Sequence, residues 1–181
     1  MAKRSMFVGM DVHKESIDIS LAEKGRDGEV RHYGGIPGDL EAVTKLLKTL
    51  RAPTRRLRFV YEAGPCGYAL QRRLTAGAVT CVVIAPALMP RKPGDRVKTD
   101  KRDARKLAEL FRAGLLTEVR PPTPAEEAVR DLCRARDDAR DDVQRARHRL
   151  GKLLLRRGLH FAGRKNWTKA HRQWIRSIQW D

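Results

Sequence analysis

The segment Met6 to Leu21, MFVGMDVHKESIDISL, constrains the fold most, because it runs a buried strand straight into a carboxylate. Met6, Phe7, Val8, Gly9 and Met10 form a continuous apolar run with a β-branched centre, the pattern of a strand covered on both faces. Asp11 closes it. After a turn over Val12 to Lys14, Ile17, Ile19 and Leu21 alternate with Ser16, Asp18 and Ser20, the period-two pattern of a half-buried strand. A hairpin that opens on a core strand thus presents one acid at the centre of a sheet. Alone, Asp11 is equally well explained as the start of an Asx turn; partners elsewhere in the chain decide between the two readings.

Further elements follow the same grammar. Gly28 to Gly35 reads as a third strand bounded by glycines, completing an antiparallel meander. Asp39 is placed to cap a helix with an apolar face of Leu40, Val43, Leu46, Leu47 and Leu50. Arg58 to Glu62 is a second core strand ending in an acid, and Ala63 to Gly67 turns tightly into a helix through Tyr68, Leu70 and Leu74. Val79 to Ile84 is a third buried strand. A meander followed by helix, strand, helix and strand is an α/β arrangement, a mixed sheet with covering helices in the ribonuclease H-like order. That order puts the first and fourth strands side by side, so Asp11 and Glu62 are expected to face each other across one strand spacing, about 5 Å.

Met89 to Arg102 is polar, basic and rich in proline and glycine, the composition of a loop. Thr99 or Asp100 then caps a helix that buries Ala104, Leu107, Ala108 and Phe111. Asp100 and Asp103 are three apart, hence on one face of the first turn, where the helix dipole favours ionised carboxylates. The competing reading is a cap plus a solvated acid. Taken together, Asp11, Glu62, Asp100 and Asp103 are the kind of converging acids that two-metal phosphodiester cleavage uses, since hard divalent cations prefer oxygen ligands.

Charge points to the partner. The 181 residues hold 39 Lys and Arg against 22 Asp and Glu, a formal charge of +17 and a pI near 10.6, the electrostatic footprint of a nucleic-acid binder. No apolar run approaches the ~18 residues of a membrane span and no signal peptide opens the chain, so a cytoplasmic protein with no membrane partner is expected. Cys66, Cys81 and Cys133 are too scattered for a disulfide framework or a zinc site and read as buried thiols. The five histidines show no metal-ligand spacing with cysteine, so any metal is expected on carboxylates. His13 and Lys14 either support the site or shape the turn.

Pro121, Pro122 and Pro124 mark a boundary. Beyond it Val129, Leu132, Arg136, Ala139, Val143, Ala146, Leu150 and Leu153 step by three and four, a coiled-coil seam with one charged interruption, which pairs helices within a hairpin or between subunits. Packing on its own domain is the alternative. Gly158 is expected to end this helix. In the tail, Trp167, His171, Trp174 and Ile178 fall on one face at helical spacing, which favours packing over base stacking. The expected organisation is 1–120 for the α/β domain, 121–160 for the long helix and 161–181 for a Trp-rich basic segment after which the chain looks cut.

The stretches Gly9-Met10-Asp11-Val12-His13-Lys14, Tyr61-Glu62-Ala63-Gly64-Pro65 and Lys98-Thr99-Asp100-Lys101-Arg102-Asp103-Ala104, in this order and spacing, resemble the N-terminal half of the DEDD-type insertion-sequence transposases, bridge-RNA-guided recombinases related to the pilin-gene invertases. Trp167-Thr168, His171 and Trp174-Ile175 are similar to a segment after that family's coiled coil. The resemblance implies a RuvC-like nuclease domain whose tetrad, Asp11, Glu62, Asp100 and Asp103, binds Mg²⁺, with Mn²⁺ as a substitute. It further implies a coiled coil that assembles subunits, a separate C-terminal domain with a serine nucleophile, and a structured guide RNA that pairs donor and target DNA. Ser177 lies ahead of where that domain would begin, and nothing marks it as the nucleophile. The expected function is therefore the N-terminal part of a DNA transposase or recombinase, not competent for recombination by itself. The alternatives are a junction-resolvase-like metal-dependent nuclease and a non-catalytic nucleic-acid-binding module. Sugar kinases and actin-like ATPases share the strand-acid-strand opening but need small and hydroxyl residues after the acid, where this chain has Val12-His13-Lys14-Glu15.

Overall fold

The computed structural model describes residues 4–25, 28–90 and 99–180. The described part of the predicted loop from Met89 is short, since 91–98 lie outside the described residues, as does Lys98 of the third stretch above. The chain divides into two compact units, Met1–Pro121 and Pro122–Asp181.

The first unit is built on a six-stranded sheet of order β3-β2-β1-β4-β5-β6. Its strands are β1 (Arg4–Val12), β2 (Ser16–Glu23), β3 (Val30–Pro37), β4 (Arg55–Glu62), β5 (Thr80–Ile84) and β6 (Glu118–Val119). Strand β1 pairs antiparallel with β2 and parallel with β4, and β4 pairs parallel with β5. This is the ribonuclease H-like arrangement, with β1 at the centre. Helices α1 (Leu40–Leu50) and α2 (Ala69–Ala76) supply the two links that return the chain to parallel strands, while α3 (Asp100–Ala113) follows β5.

Strand alternation sorts the core into two layers. Met6, Val8 and Met10 join Ile17, Ile19, Leu21, Phe59 and Tyr61 in one cluster with the apolar faces of α1 and α2. Phe7 and Val60 point to the other face, where Ala22, Val82 and Ile84 meet Leu107, Ala108 and Phe111 of α3. Phe7 meets Phe111 edge-on, with ring centroids 5.4 Å apart, and the Arg58 guanidinium lies over both rings.

Gly9 is what lets α3 come so close. A Cβ built there would stand 2.3 Å from the Ala104 carbonyl oxygen and 2.5 Å from the Ala108 nitrogen. Backbone passes directly over backbone. Phe7 against Phe111 and Gly9 against Ala104 and Ala108 show α3 running antiparallel to β1, so its N-terminus arrives where β1 ends.

Several features differ from the sequence reading. Strand β3 begins and ends two residues later than expected, because Gly34 and Gly35 lie within it: the register shifts between Ile19 and Ser20, and Gly34 sits at φ 128°. The glycines therefore form a bulge instead of a boundary. Strand β6, two residues paired antiparallel to β5, carries no sequence pattern long enough to register. Of the cysteines only Cys81 is buried, its thiol pushed up to about 12 by burial, while Cys66 and Cys133 are exposed.

The second unit begins with α4 (Pro124–Arg156), whose start carries a capping box: Thr123 accepts from the Glu126 N–H, and the Glu126 side chain accepts from the Thr123 N–H. Its one buried residue is Leu154, and the seam positions Val129, Leu132 and Val143 are 60%, 71% and 49% exposed. Helix α5 (Lys169–Ser177) is shorter than the aromatic spacing suggests. Trp167 precedes its cap at φ 66° and Ile178 is its C-terminal cap, so the four residues do not share one helix. Packing is nevertheless what the rings do: Phe161, Trp167 and Trp174 surround the buried His171 at centroid distances of 4.9, 5.2 and 5.5 Å.

Two glycine substitutions should move stability in opposite directions. Gly9→Ala forces backbone apart and is expected to cost about 1–3 kcal/mol, as overpacking does. Gly151→Ala, inside α4 with nothing within 4 Å of the added methyl, is expected to stabilise by about 0.5–1 kcal/mol. Thermal or denaturant unfolding of the two variants checks both signs.

Candidate metal centre

The site forms where β1, β4 and α3 end together. The His13 N–H donates to the Ser16 carbonyl at 2.9 Å, closing the β1–β2 turn just past Asp11. After β4, the Tyr61 hydroxyl donates to the Gly67 carbonyl at 2.9 Å and the Cys66 thiol lies 3.5 Å from the Val12 carbonyl oxygen. These contacts tie the turn after Glu62 to the residue after Asp11. Thr99 caps α3, its hydroxyl accepting from the Arg102 N–H, which places Asp100 and Asp103 in the first turn.

Asp11 and His13 are brought against Asp100. His13 Nε2 lies 3.2 Å from Asp11 Oδ2 and 3.6 Å from Asp100 Oδ1. One ligand-type atom from each of the three falls within 4.8 Å of the others. Glu62 and Asp103 are outside that tight trio but next to it. The last printed pair of the β1–β4 register is Met10 with Tyr61, so Glu62 is the next residue along, beside Asp11 and on the same face of the sheet. Asp103 is close enough to act electrostatically on Asp11.

Burial holds the Asp11 carboxyl above the ordinary carboxylate range; His13 pulls it back down through charge and a hydrogen bond, and Asp103 and Asp100 push it up again. Asp103 Oδ2 is buried with no hydrogen-bond partner. Such an orphaned acceptor is costly unless something meets it. Clustered oxygens, one of them unsatisfied, and a carboxylate destabilised by its neighbours fit a divalent cation, which would satisfy all of them at once.

Of two further residues near the site, the sequence reading left one open and missed the other. His13 was read only as an alternative, because a residue in a turn has no periodicity to fix where it points. Its ring makes the trio part imidazole instead of purely carboxylate. Asp18 stands opposite Asp11 in the β1–β2 register, its Oδ1 3.4 Å from His32 Nε2. Its place in the Ser16-Asp18-Ser20 alternation puts it on the face away from Ile17 and Ile19, and the hairpin register needed to set it beside Asp11 is not written in the sequence.

A ribonuclease H-like sheet here gathers acids at the end of its central strand, a donor set that suits a divalent cation. The comparisons give the family. The family model of the DEDD transposases of the IS110 group, described as a transposase, matches residues 8–157, and the chain belongs to this family. It is 42% identical over 178 residues to a transposase of Sinorhizobium fredii (strain NBRC 101917 / NGR234), covering 98% of this chain and 46% of that protein. It is 38% identical over 181 residues to the transposase for insertion sequence element IS1533 of Leptospira borgpetersenii, covering 99% and 52%. The chain thus spans about half the length of these curated relatives. Among solved structures, T. thermophilus RuvC in complex with a Holliday junction substrate is similar with a TM-score of 0.43 and 10% identity, over 63% of this chain and 99% of that one. Among the described residues, no helix is long and apolar enough to cross a membrane.

The raised Asp11 pKa has a sign that can be measured. An acid whose folded-state pKa lies above its unfolded value binds its proton more tightly when folded, so stability falls as pH rises from the unfolded value toward the folded one, and stays lower above it. Asp11→Asn removes that cost. In metal-free protein at neutral pH the variant should melt at a higher temperature than the parent, with the gap closing as pH drops below about 4.

Proposed function

We propose that this chain is the nucleic-acid-binding and metal-binding N-terminal part of a DNA transposase, using Asp11, Glu62, Asp100 and Asp103 to hold Mg²⁺ for strand cleavage. The observation that carries it is the meeting of Asp11, His13 and Asp100 at the end of β1, next to the unsatisfied Asp103 Oδ2. When bound there, a divalent ion supplies positive charge against the negative charge that builds on a phosphodiester during cleavage. The chain's own residues do the positioning. Asp100 and Asp103 are presented by the first turn of α3, Asp11 is oriented by His13 Nε2, and Glu62 stands on the side toward β4.

A formal charge of +17 supports the other half of the proposal, because an acidic site can hold a polyanion only if basic surface surrounds it. The same charge is the support for a guide RNA as well as DNA as partners. The exposed seam residues Val129, Leu132 and Val143 support pairing of α4 with the same helix of a second copy. The organisation proposed is a nuclease-type domain over 1–120, a pairing helix over 121–160 and a basic segment over 161–181.

Thermal melting with Mg²⁺ or Mn²⁺ tests the metal site. Saturation near one hundred times Kd should stabilise the parent by about 2.7 kcal/mol and leave Asp11→Asn and Asp103→Asn unmoved. Equal shifts in parent and variants would place the ion elsewhere and end the tetrad assignment. For the basic surface, affinity for duplex DNA should fall by about 10³–10⁵ between 50 and 200 mM salt if six to ten phosphates are contacted; an affinity indifferent to salt would contradict it.

A further inference from the structure

The second unit holds a cleft of ≈ 530 Å³ between the end of α4 and the start of α5. Phe161, Trp167 and Trp174 line it, with Arg147, His148 and Lys152 along the α4 side. Its aromatic wall is fixed in place. The Trp167 N–H donates to His171 Nδ1 at 3.0 Å, and the His171 ring, 3% exposed, is packed among the three aromatic rings. The Arg147 guanidinium stands 5.4 Å from the Trp167 ring centroid.

Charge around this cleft is of one sign. Residues 143–180 contain eleven Lys and Arg and no Asp or Glu, whereas the acids of α4 all fall at or before Asp142. A ring-lined hollow with a purely cationic border suits a ligand with a flat apolar body and a negative charge attached, which is the chemistry of a nucleotide. A base already paired in a duplex cannot leave its stack without cost, so the occupant that fits is an unpaired one.

We propose that this cleft receives the base of one unpaired nucleotide of a single strand, stacked on the Trp174 ring with Phe161 and Trp167 as its side walls, and with the adjoining phosphates held by Arg147, His148 and Lys152. The proposal rests on the nucleic-acid reading above and adds a base-accepting site to it, remote in sequence from the carboxylates.

All three tryptophans of the chain lie at or after residue 167, so tryptophan emission reports on this segment alone. The experiment titrates the whole chain with a short oligothymidylate, and with an abasic strand of the same length, following emission and the anisotropy of a label on the strand. The expected result is quenching by oligothymidylate only, with affinity about tenfold above that for the abasic strand, the scale of one stacked base. Trp174→Leu should abolish that preference and keep the abasic affinity, while Lys152→Gln should weaken both strands alike. Equal affinities for the two strands, or a preference without quenching, overturn the cleft and leave the nucleic-acid reading standing. Failure of any strand to bind in anisotropy overturns both. If Trp174→Leu does not fold, the comparison of the two strands on the unmodified chain still decides.

Discussion

The contact on which the first unit depends is the passage of α3 over Gly9. Helix backbone can lie against strand backbone only where no Cβ intervenes, and Gly9 provides that gap at the middle of the central strand. Phe7 and Phe111 lock one end of the crossing. Direction and depth being fixed there, the first turn of α3 has one place to go, which is over the end of β1. The acid cluster is a geometrical consequence of a packing contact two residues away from it.

Packing gathers the acids, and electrostatics resists. Burial and the neighbouring carboxylates both disfavour an ionised Asp11, with His13 as partial relief. Asp103 Oδ2 carries an unmet acceptor in the same place. A fold selected only for stability would replace these groups, as apolar substitution of buried charge is often neutral or better. Local cost of this kind at the end of a central strand is what a binding site for a cation would carry.

Much of this was legible in the chain. Strands β1, β2, β4 and β5 follow from apolar runs and alternation, and Asp39 and Thr99 cap α1 and α3 as residues of their type should. The strand-end positions of Asp11 and Glu62 and the first-turn positions of Asp100 and Asp103 came from the same signals. What was not legible depends on register or on loops. The bulge at Gly34 hid the true bounds of β3, the pairing of Asp11 with Asp18 needed the hairpin alignment, and His13 sits in a turn where no repeat constrains a side chain. Trp167 shows the opposite error: helical spacing alone placed it in α5, whereas a left-handed backbone delivers its ring to the same cluster from outside the helix.

The length of α4 has its own consequence. Thirty-three residues at ~1.5 Å each make a rod of about 50 Å, several times the ~8 Å over which charge is felt in physiological salt. Its opening half is internally neutralised, with ion pairs from Asp131 to Arg145, whereas its final turns carry cations with no acids among them. The two ends of the rod are therefore electrically independent of each other. Added salt removes a small benefit from one and relieves self-repulsion in the other, so a polyanion that settles on the far half tightens the helix it grips.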